Sequence, residues 1–117
     1  MLYFKYRVSY YSKRGSLKSP VEDYVNKLGT KEKRKIKAYV KALCEREGRL
    51  PMPFSRHIYE KIWELRIRYG HGHHRILYFV TSDKEIVLLS AFLKKSKKTP
   101  QSEINTAYNY YLDYILI

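Results

Sequence analysis

Three runs of strand-forming residues, joined by turn-length segments, fill most of residues 60 to 100. Trp63, Leu65, Ile67 and Tyr69 alternate with Glu64, Arg66 and Arg68, which is the period of a strand with one apolar and one ionic face. Gly70-His71-Gly72 marks a turn, and Arg75 to Val80 (RILYFV) reads as the next strand. Thr81-Ser82-Asp83-Lys84 is a second turn before a strand from Glu85 to Leu93. Such short connections join antiparallel neighbours, because a parallel crossover needs a longer link. The stretch therefore predicts a three-stranded antiparallel meander. Arg and Lys recur along it beside an apolar, aromatic row, so one sheet face is cationic and suited to phosphate.

The remaining segments can cover such a sheet. Phe4, Tyr6, Val8 and Tyr10 alternate with Tyr3, Lys5, Arg7 and Ser9, predicting a strand over residues 2 to 11. Ser19-Pro20-Val21-Glu22 supplies a capping hydroxyl, a proline for the first helical position and a glutamate able to reach back, so a short helix starts there and stops at Gly29. Thr30 can cap a second helix, with Ile36, Tyr39, Val40, Leu43 and Cys44 on one stripe and Gly48 at its end. Leu50 to Phe54 reads as loop. Thr99-Pro100 opens a last helix whose stripe is Ile104, Ala107, Tyr108, Tyr111, Leu112 and Ile115, and its tyrosine-rich end TAYNYYLDYILI is expected to add to the core. The expected architecture is α+β: an N-terminal strand, a helical hairpin, the meander and a C-terminal helix. With 117 residues and 44% hydrophobic content, residues 1–117 suit one domain with one core.

Charge narrows the partner. Lys and Arg number 24 against 11 Asp and Glu, a formal net charge of +13, so a polyanion comes first, although an acidic protein would also satisfy it. The single cysteine, Cys44, cannot form an internal disulfide, which fits a reducing, cytoplasmic setting. It lies on an apolar stripe with nothing nearby to lower its pKa, so it has no catalytic role here. The first run, LYFKYRVSYYSKRG, is interrupted by Lys5 and Arg7 and reads as neither signal peptide nor membrane span.

Taken in order, Trp63-Glu64-Leu65-Arg66, Arg75-Ile76-Leu77-Tyr78-Phe79, Ile86-Val87-Leu88-Leu89, Ala91-Phe92-Leu93-Lys94-Lys95, Lys98-Thr99-Pro100 and Glu103-Ile104 with Ala107 resemble the HigB-type toxins. These are also described as phage-derived Gp49-like proteins and belong to the RelE/ParE superfamily. Each piece alone is weak; their order through about the last half of the chain carries the resemblance. It implies a RelE-like fold and the toxin of a type II toxin–antitoxin pair. The implied activity is that of a metal-independent mRNA endoribonuclease, or interferase, which cuts ribosome-bound mRNA and inhibits translation. It would leave 2′,3′-cyclic phosphate and 5′-OH ends and use no cofactor. The implied partners are the ribosome, mRNA and a cognate antitoxin with a helix-turn-helix DNA-binding domain, with no membrane. Two alternatives stay open: a ParE-like toxin that inhibits DNA gyrase, and a non-catalytic nucleic-acid-binding module whose affinity falls steeply with salt.

RNA cleavage by the ribose 2′-OH needs that hydroxyl deprotonated, the extra charge on phosphorus stabilised and the 5′-oxygen protonated. Arg66 and Arg68 project from one face of their strand and Arg75 opens the next, so Arg66 and Arg75 could meet on one phosphate. Under the resemblance, Arg66, Arg75 and Lys94 or Lys95 stabilise the transition state and move protons. Arg68, Tyr69, His73, His74, Tyr78, Lys97 and Lys98 then hold RNA, the two tyrosines by stacking or by helping proton transfer. Plainer readings stand beside these. Arg66 could pair with Glu64 on a solvated face, some of the lysines from Lys94 to Lys98 could serve only solubility, Trp63 reads as core, and Tyr78 could equally be packed. His71, His73 and His74 look like a small metal tract at a turn, but zinc would want further ligands, so no metal is expected. His73 or His74 as general acid is a secondary reading against exposed turn histidines.

Overall fold

The computed structural model describes residues 5–95 and 97–116. In chain order these form β1 (Arg7–Tyr10), α1 (Pro20–Asn26), α2 (Thr30–Glu45), β2 (Ser55–Tyr59), β3 (Ile62–Tyr69), β4 (Gly72–Val80), β5 (Glu85–Leu93) and α3 (Gln101–Ile115). The fold is α+β, one five-stranded sheet in the order β1-β5-β4-β3-β2 with helices on both faces. The expected meander is β3-β4-β5, with Arg66 opposite Arg75 and Arg75 opposite Phe92.

Two strands differ from expectation. β1 covers only Arg7–Tyr10 of the strand predicted over residues 2 to 11, and residues 2 to 4 of that prediction lie outside the described residues. It pairs parallel with β5, Arg7 against Glu85 and Tyr10 against Leu88. β2 is a fifth strand, where the sequence reading has four. It is an edge strand with Arg56, His57 and Tyr59 exposed, so it lacks the apolar alternation that marks a half-buried strand.

The helical hairpin forms as predicted but is capped differently. Ser19 Oγ accepts from the Glu22 amide at 3.3 Å and Pro20 is the first helical residue. α1 ends at Asn26, and Gly29 is the N-cap of α2, its carbonyl accepting from Lys33 N–H at 2.9 Å. Thr30 is therefore the first residue of α2 and not its cap, and Gly29 is a start where a stop was expected. Gly48 follows α2 with φ +90° and donates to the Leu43 carbonyl at 2.8 Å. A Cβ there would lie 2.7 Å from Val80 Cγ2, so this turn needs glycine twice over, for its backbone and for its fit.

The helices divide the sheet into two cores. On one face Val21 and Val25 of α1 and Ile36, Val40 and Leu43 of α2 pack on Leu65, Ile67, Ile76, Tyr78, Ile86 and Leu88. On the other, Ala107 of α3 with Tyr108, Tyr110, Tyr111 and Tyr114 packs on Ile62, Leu77, Phe79, Val87 and Leu89. Each fully buried aliphatic side chain contributes roughly 1.5–3 kcal/mol relative to leaving it in water. The terminal tyrosines thus join the core as expected, while Ile115 (48% exposed) and Leu116 (73%) stay outside it. Trp63 packs against the first core from its margin and is half-buried. A bulge interrupts the β4–β5 ladder, where Leu77 faces Ser90 but Tyr78 faces Leu88, leaving Leu89 with no opposite number. Among the described residues no helix is long and apolar enough to cross a membrane.

Candidate active site

α3 covers only part of its face of the sheet. The uncovered part carries Glu64, Arg66 and Arg68 from β3 and His73 and Arg75 from β4, since alternate residues of a strand share a face and Arg68 pairs with His73 as Arg66 pairs with Arg75. The backbone after β5 runs alongside, with Lys94 N–H donating to the His73 carbonyl at 2.8 Å. His73, Arg75, Lys94, Lys95 and Lys97 line an open cleft of about 560 Å³.

Glu64 lies beneath these cations and is fully buried. It accepts from Arg66 Nε at 2.9 Å and from the Thr99 hydroxyl, and its Oε1 lies 3.7 Å from Arg75 Nε. The Arg66–Glu64 pair therefore exists but is not a solvated surface pair. A buried carboxylate needs compensation, and two guanidiniums and a hydroxyl supply it. Arg66 keeps about a fifth of its side chain (21%) exposed at this end of the sheet.

Arg75 is 6% exposed. Its Nη1 donates to the His74 carbonyl at 3.1 Å, while its Nε has no hydrogen-bond partner. Burial lowers the Arg75 pKa, Glu64 opposes that shift and Arg66 adds to it; a guanidinium stays charged nonetheless. The Lys94 ammonium is held below its ordinary pKa, first by burial and then by Arg75 and Arg66, with Glu64 opposing and Arg56 adding. The His73 imidazole is also lowered, first by loss of solvent and then by Arg68, Arg75, Lys94 and His74. Loss of solvent, reinforced by crowded cations, thus favours the neutral forms of the two groups best able to move protons.

The other sequence candidates divide by position. Arg68 is exposed on the same face and donates to the Gly70 carbonyl at 3.4 Å, and Lys95, Lys97 and Lys98 are exposed at the rim. Tyr69, His74 and Tyr78 sit on the opposite face and do not reach the cationic cleft, although the sequence groups them with it. Tyr78 is fully buried, donates to the Gly48 carbonyl at 2.8 Å, accepts from Ser55 at 2.5 Å, and burial pushes its pKa up to about 12. His74, 2% exposed, bonds Glu32 through Nε2 at 2.5 Å and the Tyr24 hydroxyl through Nδ1 at 2.7 Å. It ties β4 to both α1 and α2. The half-buried Tyr69 ring has the Lys35 ammonium 5.9 Å from its centroid.

The three histidines of the tract therefore go three ways, His71 staying exposed in the turn. Among the described residues no three His, Cys, Asp or Glu side chains group so as to hold a metal ion. Cys44 is half-buried, and burial followed by Glu45 pushes its thiol pKa up, the wrong direction for a nucleophile. Glu64 and Thr99 are the site residues that the sequence reading does not include. The available signal was the position of Glu64 two residues before Arg66 on one strand face.

Comparison with protein families gives a match to the phage-derived protein Gp49-like family over residues 23–111, a span that contains every residue of the cleft. No curated protein sequence gives a significant match. The family is generally one of toxins from toxin–antitoxin pairs. With the family's span running from the helical hairpin through the cationic cleft and most of α3, the chain belongs to the phage-derived Gp49-like family, a RelE/HigB-like toxin family.

Proposed function

We propose that the chain is the toxin of a type II pair and that it cuts ribosome-bound mRNA by attack of the ribose 2′-oxygen, with no metal ion in the chemistry. The observation that carries this reading is Arg75: a buried guanidinium, directly opposite Arg66, with an Nε donor that no side chain satisfies. Two guanidiniums set side by side at an open cleft suit phosphate oxygens.

In this mechanism the scissile phosphate sits over Arg66 and Arg75, which stabilise the charge that grows on its oxygens. His73, favoured as neutral imidazole, takes the 2′ proton while the O2′–P bond forms. The P–O5′ bond breaks and the Lys94 ammonium, made more acidic by its neighbours, gives its proton to the departing 5′-oxygen. The products are a 2′,3′-cyclic phosphate and a 5′-OH. Lys95, Lys97, Lys98 and Arg68 hold flanking phosphates. The cognate antitoxin, with a helix-turn-helix domain, blocks this face, and the toxin acts in the cytoplasm where translation occurs.

The test adds the purified chain to a translating system and maps new mRNA 5′ ends by primer extension. Ribosome-dependent cuts with 5′-OH ends are expected. Intact mRNA would overturn the reading, and gyrase-dependent DNA breaks beside it would put a ParE-like activity in its place.

The lowered His73 pKa sets a pH dependence. A general base works only when unprotonated, so cleavage rises with pH through the His73 pKa, and the acid limb of the rate profile is expected below the ordinary histidine value of 6.5. Single-turnover rates across that range should lose this limb in His73→Ala. A limb unchanged in the variant would assign the base elsewhere.

A further inference from the structure

A larger cleft, of about 720 Å³, opens on the opposite face of the sheet from the cationic one. It lies where the chain leaves α2 and meets the β2–β3 turn. Arg46, Glu47 and Arg49 form one wall, His57, Glu60 and Lys61 another, and Trp63 and Val80 lie between them. Along β4 it is about 17 Å from Arg75, at ~3.3 Å per residue over the span to Val80.

This cleft is built around a flat aromatic surface. The Arg49 guanidinium sits 4.5 Å from the centroid of the half-buried Trp63 ring, and the His57 ring meets it edge-on at 5.5 Å. His57 Nε2–H donates to the Glu60 carbonyl at 2.6 Å, which fixes the imidazole plane. The opposite wall is also held: the Tyr78 hydroxyl bonds the Gly48 carbonyl, and Gly48 lies directly against Val80. The backbone that carries Arg46, Glu47 and Arg49 is thereby pinned to the sheet. Trp63 packs against the first core on one side and on the other is bordered by the Arg49 guanidinium and the His57 imidazole.

Such a set matches a nucleotide. A base stacks on aromatic or guanidinium planes, and cations at the rim, here Arg46 and Lys61, take its phosphate. The Glu47 and Glu60 carboxylates can accept N–H groups from a base edge, which a bare phosphate does not offer. The edge strand links the two clefts. Arg56 pairs with Glu64 and so faces the cationic side, while the neighbouring His57 pairs with Trp63 and faces this one. We infer that this second cleft is a nucleotide-binding subsite that stacks a base of single-stranded RNA away from the point of cleavage. The inference rests on RNA being the ligand of the protein.

Trp63 is the sole tryptophan, so the tryptophan fluorescence comes from this cleft. The probes are guanosine monophosphate and a single-stranded RNA of about ten nucleotides, within the usual footprint of such sites. Saturable quenching by the strand is expected, with affinity roughly tenfold weaker in the Arg46→Ala/Lys61→Ala double variant, because two phosphate contacts are lost. Both residues are exposed, so the variant should fold. Lys18→Ala, which removes one exposed charge outside both clefts, should quench with the affinity of the unaltered protein. No quenching by the strand would overturn the inference. So would quenching lost in Arg66→Ala but kept in the double variant, which would place the RNA in the cationic cleft. Quenching by guanosine monophosphate with none by the strand would replace RNA with a free nucleotide. The readout is binding, so it separates from the interferase reading: quenching without any mRNA cleavage would keep this subsite and remove that activity.

Discussion

Arg75→Ala is expected to slow mRNA cleavage by roughly 10²–10³, the usual loss when one preorganised donor to the transition state is removed. Arg66→Ala should fall in the same range. The large effect follows from burial: at 6% exposure the Arg75 guanidinium acts where water screens little, and Glu64 beneath it holds it in place. Arg75→Lys keeps the charge but loses the two-pronged geometry, so it should recover only part of the rate. Single-turnover cleavage of ribosome-bound mRNA measures these losses, with thermal melting in parallel because Arg75 also faces Glu64. A rate equal to that of the unaltered protein in both alanine variants would remove the guanidinium pair from the mechanism.

The largest stability loss is expected at Glu64. Glu64→Ala leaves Arg66 and Arg75 opposite one another without their shared carboxylate, and strands its hydrogen-bond partners. Removing one member of a buried ion pair costs about 3–5 kcal/mol, and like charges directly opposed across strands add to it. Against a total of about 5–15 kcal/mol for a typical domain, such a loss is severe. Glu64→Gln should cost less, because its amide oxygen still accepts from Arg66 or Thr99. Chemical denaturation checks both variants. Added inorganic phosphate is expected to restore part of the Glu64→Ala loss by taking the place of the missing anion. An unchanged midpoint in Glu64→Ala would show that the carboxylate does not hold the arginines in place.

Much of this was legible in the sequence because it is local. The period of two in Trp63 to Tyr69, the short turns and the Ser-Pro helix start each report their own structure without help from distant residues. β2 was hidden because an edge strand facing water needs no apolar alternation. The capping of α2 was missed because Gly29 and Thr30 both suit a helix start, and only backbone geometry separates them. The faces of His74 and Tyr78 were available: strict alternation from Arg75 puts 74 and 78 on the other side of β4. The burial of Glu64 was not available, because Thr99, from the segment before α3, helps to enclose it, and that contact spans 35 positions of the chain.

The bulge at Leu89 has a reach beyond its own strand. Before it, Ile86 and Leu88 point toward α1 and α2; after it, Phe92 points to the other side, although all three have even numbers. Lys94 follows the count of Phe92 and so arrives next to Arg75. In an unbroken strand it would share the phase of Ile86 and Leu88 and be aimed under the helices. The ammonium is thus delivered to the cleft by a one-residue phase change five positions upstream, and chain length there constrains the site as firmly as the lysine itself.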